Sequence, residues 1–302
     1  MRKQPNNTLQ VIEELRPGQS LALLKELHIL TREGKLNQDT RRKLKQVYHL
    51  YQFIEPLLDA VFTTQTAPTL ADHGAGKSYL GFILYDLFFN VAHAGQKTTG
   101  HIYGIETRAE LVDKSRLLAA QLGFERMSFL NLSVQSATTS SALPTRIDIV
   151  TALHACDTAT DDAIAFGLAK GAQHMVLVPC CQAEVAGVLK KTKALNLRKT
   201  ALAELWRRPL HTREFGSQIT NVLRCLQLEA NGYHVTVTEL VGWEHSMKNE
   251  LILASKPALS SPAGSEANTT KTEAAQQRLQ AVLAELGLGE LTARFGAADA
   301  SG

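Results

Sequence analysis

The sequence predicts an open α/β fold: a mostly parallel sheet with helices on both faces, closed by an antiparallel hairpin and preceded by a helical extension. Three observations carry this. Short apolar runs alternate with helical periodicity from about residue 69 to residue 230. The first run ends at Asp72 and passes through Gly74 and Gly76 straight into an apolar-periodic segment beginning at Tyr79, which reads as strand, tight turn and helix. The last two runs, 233–241 and 250–254, are joined too closely for a crossover and must be antiparallel.

Composition sets the frame for these elements. With 302 residues, 44% hydrophobic and 20% charged, the chain reads as a soluble globular protein with a sizeable core, and no run reaches the roughly 18 apolar residues of a membrane span. Residues 1–7 lead into no apolar signal core, so the expected location is the cytoplasm, with no membrane partner. The four cysteines, Cys156, Cys180, Cys181 and Cys225, are too few for a disulfide framework and fit a reduced compartment. A net charge of +3 says little by itself. Its distribution says more: Arg41, Arg42, Lys43 and Lys45 form one basic cluster, and the segment 190–213 forms a second, with Lys190, Lys191, Lys193, Arg198, Lys199, Arg207, Arg208 and Arg213.

In chain order, residues 1–58 show helical periodicity in pieces broken by Pro17-Gly18 and Gly34, a helical N-terminal extension. The α/β domain is expected over 59–256. Its strands fall at 69–72, 101–106, 127–132, 147–153, 174–178, 233–241 and 250–254, with a polar Ser/Thr loop at 133–141 and helices at 109–122 and 219–230. Residues 257–272 read as a flexible linker rich in Pro, Ser, Thr, Gly and Ala. An amphipathic helix and tail at 273–302 end the chain, the helix either packing back on the domain or docking a protein partner.

The turn after the first strand decides the ligand class. Gly76-Lys77-Ser78 ends like a phosphate-binding loop, but Ala71 stands where that loop needs its first glycine. Tyr79 replaces the third glycine of a dinucleotide fingerprint. Asp72-x-Gly74-x-Gly76 instead fits the first-strand loop of a class I methyltransferase, in which Asp72, Gly74, Ala75, Gly76 and Lys77 cradle S-adenosylmethionine (SAM). Glu106 ends the next strand, 32 residues after Gly74, about one strand–helix–strand unit, where a carboxylate can accept both ribose hydroxyls. The fourth and fifth strands end in His154-Ala155-Cys156-Asp157 and Pro179-Cys180-Cys181-Gln182, so reactive side chains gather at the carboxyl ends that form the ligand crevice of a parallel sheet.

Together, Asp72 to Leu80, Gly104-Ile105-Glu106, His154 to Asp157 with Thr160-Asp161, Val178 to Gln182 and Lys248-Asn249-Glu250 resemble the methyltransferase domain 32 family of SAM-dependent enzymes over about residues 55–255. The resemblance implies a Rossmann-like, seven-stranded sheet with a final antiparallel strand. A more distant likeness is to the tRNA acceptor-stem 2′-O-methyltransferases, whose fifth-strand Cys-Cys is followed by histidine where this chain has Gln182. An RNA acceptor, tRNA or rRNA, is therefore expected, bound through the 190–213 segment, with a protein or small-molecule acceptor, or an inactive SAM-binding scaffold, as alternatives.

Methyl transfer needs an aligned acceptor, a place for its proton and exclusion of water. His154, which also borders the cofactor, and Asp157 are the candidates for positioning and general base; a backbone-bonded core histidine and an N-cap of the following helix are the plain readings of the two. Cys180 and Cys181 are further catalytic candidates, since cysteines at the same strand ends serve cytosine-5 methyltransferases, although small buried thiols are the simpler reading. Gln182, Arg207, Arg208, His211, His245, Lys248 and Asn249 are the candidate substrate contacts. The ligand types of His154, Cys156, Cys180, Cys181 and His245 suit zinc but their spacing does not, so no metal is expected.

Overall fold

The computed structural model describes residues 14–65, 67–95, 100–153, 155–180, 182–192, 200–240, 250–257 and 266–296. His154, Cys181, Lys193, Arg198, Lys199, His245, Lys248 and Asn249 lie outside the described residues.

Seven strands form one sheet: β1 (Thr69–His73), β2 (His101–Glu106), β3 (Met127–Asn131), β4 (Ile149–Leu153), β5 (His174–Val178), β6 (His234–Glu239) and β7 (Glu250–Ser255). Their order is β3-β2-β1-β4-β5-β7-β6, all parallel except β7, which runs antiparallel to both β5 and β6. The expected sheet and its closing hairpin are therefore present. The order reverses direction between β1 and β4, and in an open α/β sheet that switch point opens a crevice at the carboxyl ends of the strands.

Helices α1 (Leu21–Glu26), α2 (Gln38–Thr64), α3 (Tyr79–Leu84) and α4 (Ala109–Leu122) share one apolar cluster with a face of the sheet. The extension thus packs on the sheet. Asn37 and Thr40 close α2 with a reciprocal capping box, at 2.9 and 3.0 Å. Ser20 caps α1 through its hydroxyl, and its own N–H reaches the buried carboxylate of Asp86 at 2.9 Å, which ties α1 to the wider π-helical turn, Tyr85–Ala92, that continues α3.

On the opposite face, α5 (Val134–Thr139) and α6 (Thr158–Ala169) contribute to a second apolar cluster. The 133–141 stretch was expected as loop. Ser133 instead caps a short helix by accepting the Ser136 N–H at 3.2 Å, and burial of Ala137 holds that helix down.

Helices α7 (Glu184–Thr192), α8 (Pro209–Ala230), α9 (Glu266–Glu285) and the short α10 (Thr292–Phe295) surround a third cluster centred on Leu189, Leu223, Leu279 and Leu283. Here the sequence reading needs two corrections. α8 starts ten residues before 219, at Pro209, because proline fits the first helical turn, where its missing N–H is not needed. The last long helix starts at Glu266, inside the expected linker, and its apolar side is buried against α8, so packing back on the domain uses the face that a partner would have needed.

Candidate active site

The loop between β1 and α3 is shaped by left-handed backbone. Gly74 and Gly76 have φ of +63° and +56°, conformations open to glycine at little steric cost, and Ser78 adopts φ +50° before α3. Two hydrogen bonds dock the loop on the end of β2: Ala75 N–H donates to the Ile105 carbonyl at 3.1 Å, and Gly76 N–H to Glu106 Oε2 at 2.8 Å. The loop and the expected ribose carboxylate are thus built as one unit.

Two carboxyls of opposite character flank it. Asp72 is buried and accepts the Thr151 hydroxyl from β4 at 2.9 Å; burial pushes it up to about 7, against the pull of the Thr151 and Ser78 hydroxyls. Glu106 would also be raised by its partial burial, but the side chain and N–H of Arg108 and the N–H of Gly76 outweigh this and hold it at about 2. Arg108 grips it with two guanidinium bonds, Nε to Oε1 at 3.1 Å and Nη2 to Oε2 at 3.2 Å, while remaining mostly exposed. Glu106 is therefore a permanent anion at the crevice, suited to accept from a diol. Lys77 is exposed beside the loop. These residues fit SAM: an open glycine turn for its amino-acid end and an ionised acceptor for its ribose.

The ends of β4 and β5 carry the rest. Asp157 does not cap α6, the helix that follows it. Its Oδ1 instead accepts from Ala183 N–H at 2.9 Å and Glu184 N–H at 3.3 Å, which caps α7 and ties the two loops together. Its backbone, at φ +51° and ψ −122°, is strained for a residue with a side chain, by about 1–3 kcal/mol. What holds it there is Arg224 of α8. This fully buried guanidinium donates to the Asp157 carbonyl at 2.8 Å, to both Asp161 oxygens at 2.7 and 2.9 Å and to Asn221 Oδ1 at 3.1 Å.

Gln182, expected to touch substrate, is buried in the same network. Its Nε2 donates to Asn221 Oδ1 at 3.0 Å and its Oε1 accepts the Ser217 hydroxyl at 2.6 Å, so both ends of the amide serve the fold. Asn221 in turn donates to Glu250 at the start of β7, at 2.6 Å. The cysteines also differ from the simple expectation: Cys156 is exposed and Cys180 half-buried, because both lie past the strand ends. Arg207, Arg208 and His211 are brought together around one open hollow at the start of α8, with Arg207 paired to Glu204 at 3.2 Å.

Arg108, Asn221 and Arg224 escaped the sequence reading. Arg224 sits on the buried stripe of α8 with Thr220, Asn221 and Gln227, and a run of polar residues at helical spacing was the signal available.

Sequence comparison identifies this arrangement. Residues 42–188 match the family model described as a methyltransferase domain. They belong to the methyltransferase domain 32 family. The match holds the glycine loop, Glu106 and the ends of β4 and β5, and S-adenosylmethionine is the cofactor of such a domain. No curated protein matches the chain in sequence. Similar solved structures include an rRNA methylase from Streptococcus thermophilus (10% identity, 68% of this chain and 93% of that one, TM-score 0.40). Others are the magnesium protoporphyrin IX methyltransferase of Synechocystis with bound S-adenosylhomocysteine (13%, 78% and 94%, 0.41) and a SAM-dependent methyltransferase of Aquifex aeolicus (14%, 73% and 97%, 0.37). Among the described residues, no helix is long and apolar enough to cross a membrane.

Proposed function

We propose that this methyltransferase acts on RNA, moving a methyl group to a hydroxyl or base atom. The observation that carries the reading is the basic hollow at the start of α8, where Arg208 and His211 stand beside the Arg207–Glu204 pair and Arg213, paired to Glu214, follows one turn on. α8 reaches Asp157, Asp161 and Gln182 at the β4 and β5 ends through Arg224 and Ser217. Arg208 lies nine residues before Ser217, about 13 Å along the helix, so its charge stands beyond the crevice, as a site gripping a phosphate backbone while one nucleotide enters requires.

Bound SAM supplies an electrophilic methyl carbon. The chain's own residues do the rest. The 74–76 loop takes the amino-acid end, with Ala75 and Lys77 at its rim, and Glu106 accepts from the ribose. His154, the residue after β4, takes the acceptor's proton. Asp157 serves as a positioning residue, since Oδ1 is engaged by two N–H groups and keeps the β4 and β5 loops in register. Cys180 with Cys181, and His245, Lys248 and Asn249 before β7, complete the acceptor side.

Labelling total RNA, total protein and small-molecule extracts from cells lacking the gene with methyl-tritiated SAM tests the reading. Label in RNA, lost in an Arg207→Glu/Arg208→Glu variant that still binds S-adenosylhomocysteine, is expected. Label only in protein or small molecules overturns the acceptor and keeps the enzyme class.

A further inference from the structure

Two thiols meet just past the ends of β4 and β5. Sγ of Cys156 lies 3.2 Å from Sγ of Cys180, a little over 1 Å beyond the roughly 2.05 Å of a disulfide. The meeting is set by the fold. β4 and β5 are neighbouring parallel strands with Leu153 opposite Val178, and the cysteines follow at three and two residues past that pair. The Asp157 carboxylate then fixes the spacing of the two loops through Ala183 and Glu184, and Arg224 fixes Asp157. Hydrogen bonds that hold an exposed thiol beside a half-buried one give the pair a high effective concentration.

We propose that Cys156 and Cys180 form a reversible dithiol–disulfide switch, oxidised by hydrogen peroxide, that stops methyl transfer while leaving cofactor binding in place. The balance is simple. One thiolate attacks a peroxide oxygen, the O–O bond breaks, and a sulfenic acid and one water result; the second thiol displaces the sulfenic oxygen as a second water and forms the S–S bond. Two electrons leave the sulfurs and both peroxide oxygens end as water. A dithiol such as dithiothreitol reverses the step. The bridge joins the loops after β4 and β5, on the acceptor side, whereas the glycine loop and Glu106 belong to β1 and β2. The output of the switch rests on the methyl-transfer reading above; the pairing of the thiols does not.

The mass readouts use the full chain with Cys181→Ser, so that the neighbouring thiol cannot substitute, and cofactor affinity and methyl transfer are read on the chain with all four cysteines. After stoichiometric peroxide, intact mass should fall by about 2 Da, and peptide mapping should join the 156 and 180 peptides. Affinity for S-adenosylhomocysteine should stay within about twofold, methyl transfer should fall at least tenfold, and dithiothreitol should restore it. Cys156→Ser and Cys180→Ser should each abolish the mass loss and take up oxygen instead. Oxygen addition in the parent without the bridge, a bridge to Cys225, or undiminished transfer by the bridged protein would overturn the switch. A chain that forms the bridge but transfers methyl to no acceptor in either state overturns the functional reading and the switch's output, leaving the thiol pair as a structural finding.

Discussion

Arg224 is the residue whose loss should reach furthest. Arg224→Met keeps the length and apolar stem of the side chain but removes a guanidinium with no solvent exposure, leaving the Asp161 carboxylate, itself only 5% exposed, without its partner. Two Asp161 bonds, the Asn221 bond and the bond to the Asp157 carbonyl go together. Breaking a buried ion pair from one side costs about 3–5 kcal/mol, most of it the stranded charge. For a domain of this size that corresponds to roughly 6–15 °C in Tm. The double variant Arg224→Met/Asp161→Leu removes both charges and should recover most of the loss. Thermal and urea denaturation of the parent, both single variants and the double variant closes the cycle. A single-variant loss below about 1 kcal/mol, or a double variant as unstable as the single, would refute the claim that a desolvated pair anchors this corner.

Three further outcomes follow from the site and core. The raised Asp72 carboxyl binds its proton more tightly folded than unfolded, so its contribution to stability falls as pH rises from roughly 4 toward 7. Asp72→Asn should match the parent in Tm near pH 4 and exceed it at pH 8, and equal pH slopes in the two proteins would contradict the buried acid. Arg108→Ala should remove the two guanidinium bonds to Glu106, leaving its backbone N–H donors in place, and tighten S-adenosylhomocysteine by roughly two- to fivefold, the scale of an exposed ion pair, whereas weaker binding would show that Arg108 belongs to the cofactor site. Leu279→Ala on α9, at a fully buried position, should cost roughly 2–4 kcal/mol in urea denaturation, and a neutral result would detach α9 from the domain.

The sequence showed the parts of this protein whose signal is local. Strand runs, the Gly74–Gly76 turn, the Glu106 strand end and the antiparallel β6–β7 pair each depend on neighbours close in sequence, and each has its place in the sheet. The parts hidden from it depend on residues far apart in the chain. Asp157 has the form of an N-cap for α6, yet its carboxylate turns to backbone groups 26 and 27 residues away. Gln182 has the form of a substrate contact, yet α8 reaches it from 35 and 39 residues further on. Arg224 pairs with Asp161 across 63 residues, beyond any pattern of spacing. α9 was masked by composition, because a linker-like run of Ser, Thr and Ala passes into the helix that α8 holds by packing.

The central claim is that the β1 loop and the β2 carboxylate form one SAM-binding unit. Calorimetric titration of the purified chain with S-adenosylhomocysteine tests it most directly, with Gly74→Arg, Glu106→Ala and His154→Ala as controls. The parent should bind at one site, Gly74→Arg should abolish binding, and Glu106→Ala should weaken it by about tenfold or more, the scale of a lost pair of charge-assisted hydrogen bonds. His154→Ala should bind nearly as the parent does and lose turnover. No binding by the parent, or equal loss in all three variants, would contradict the account.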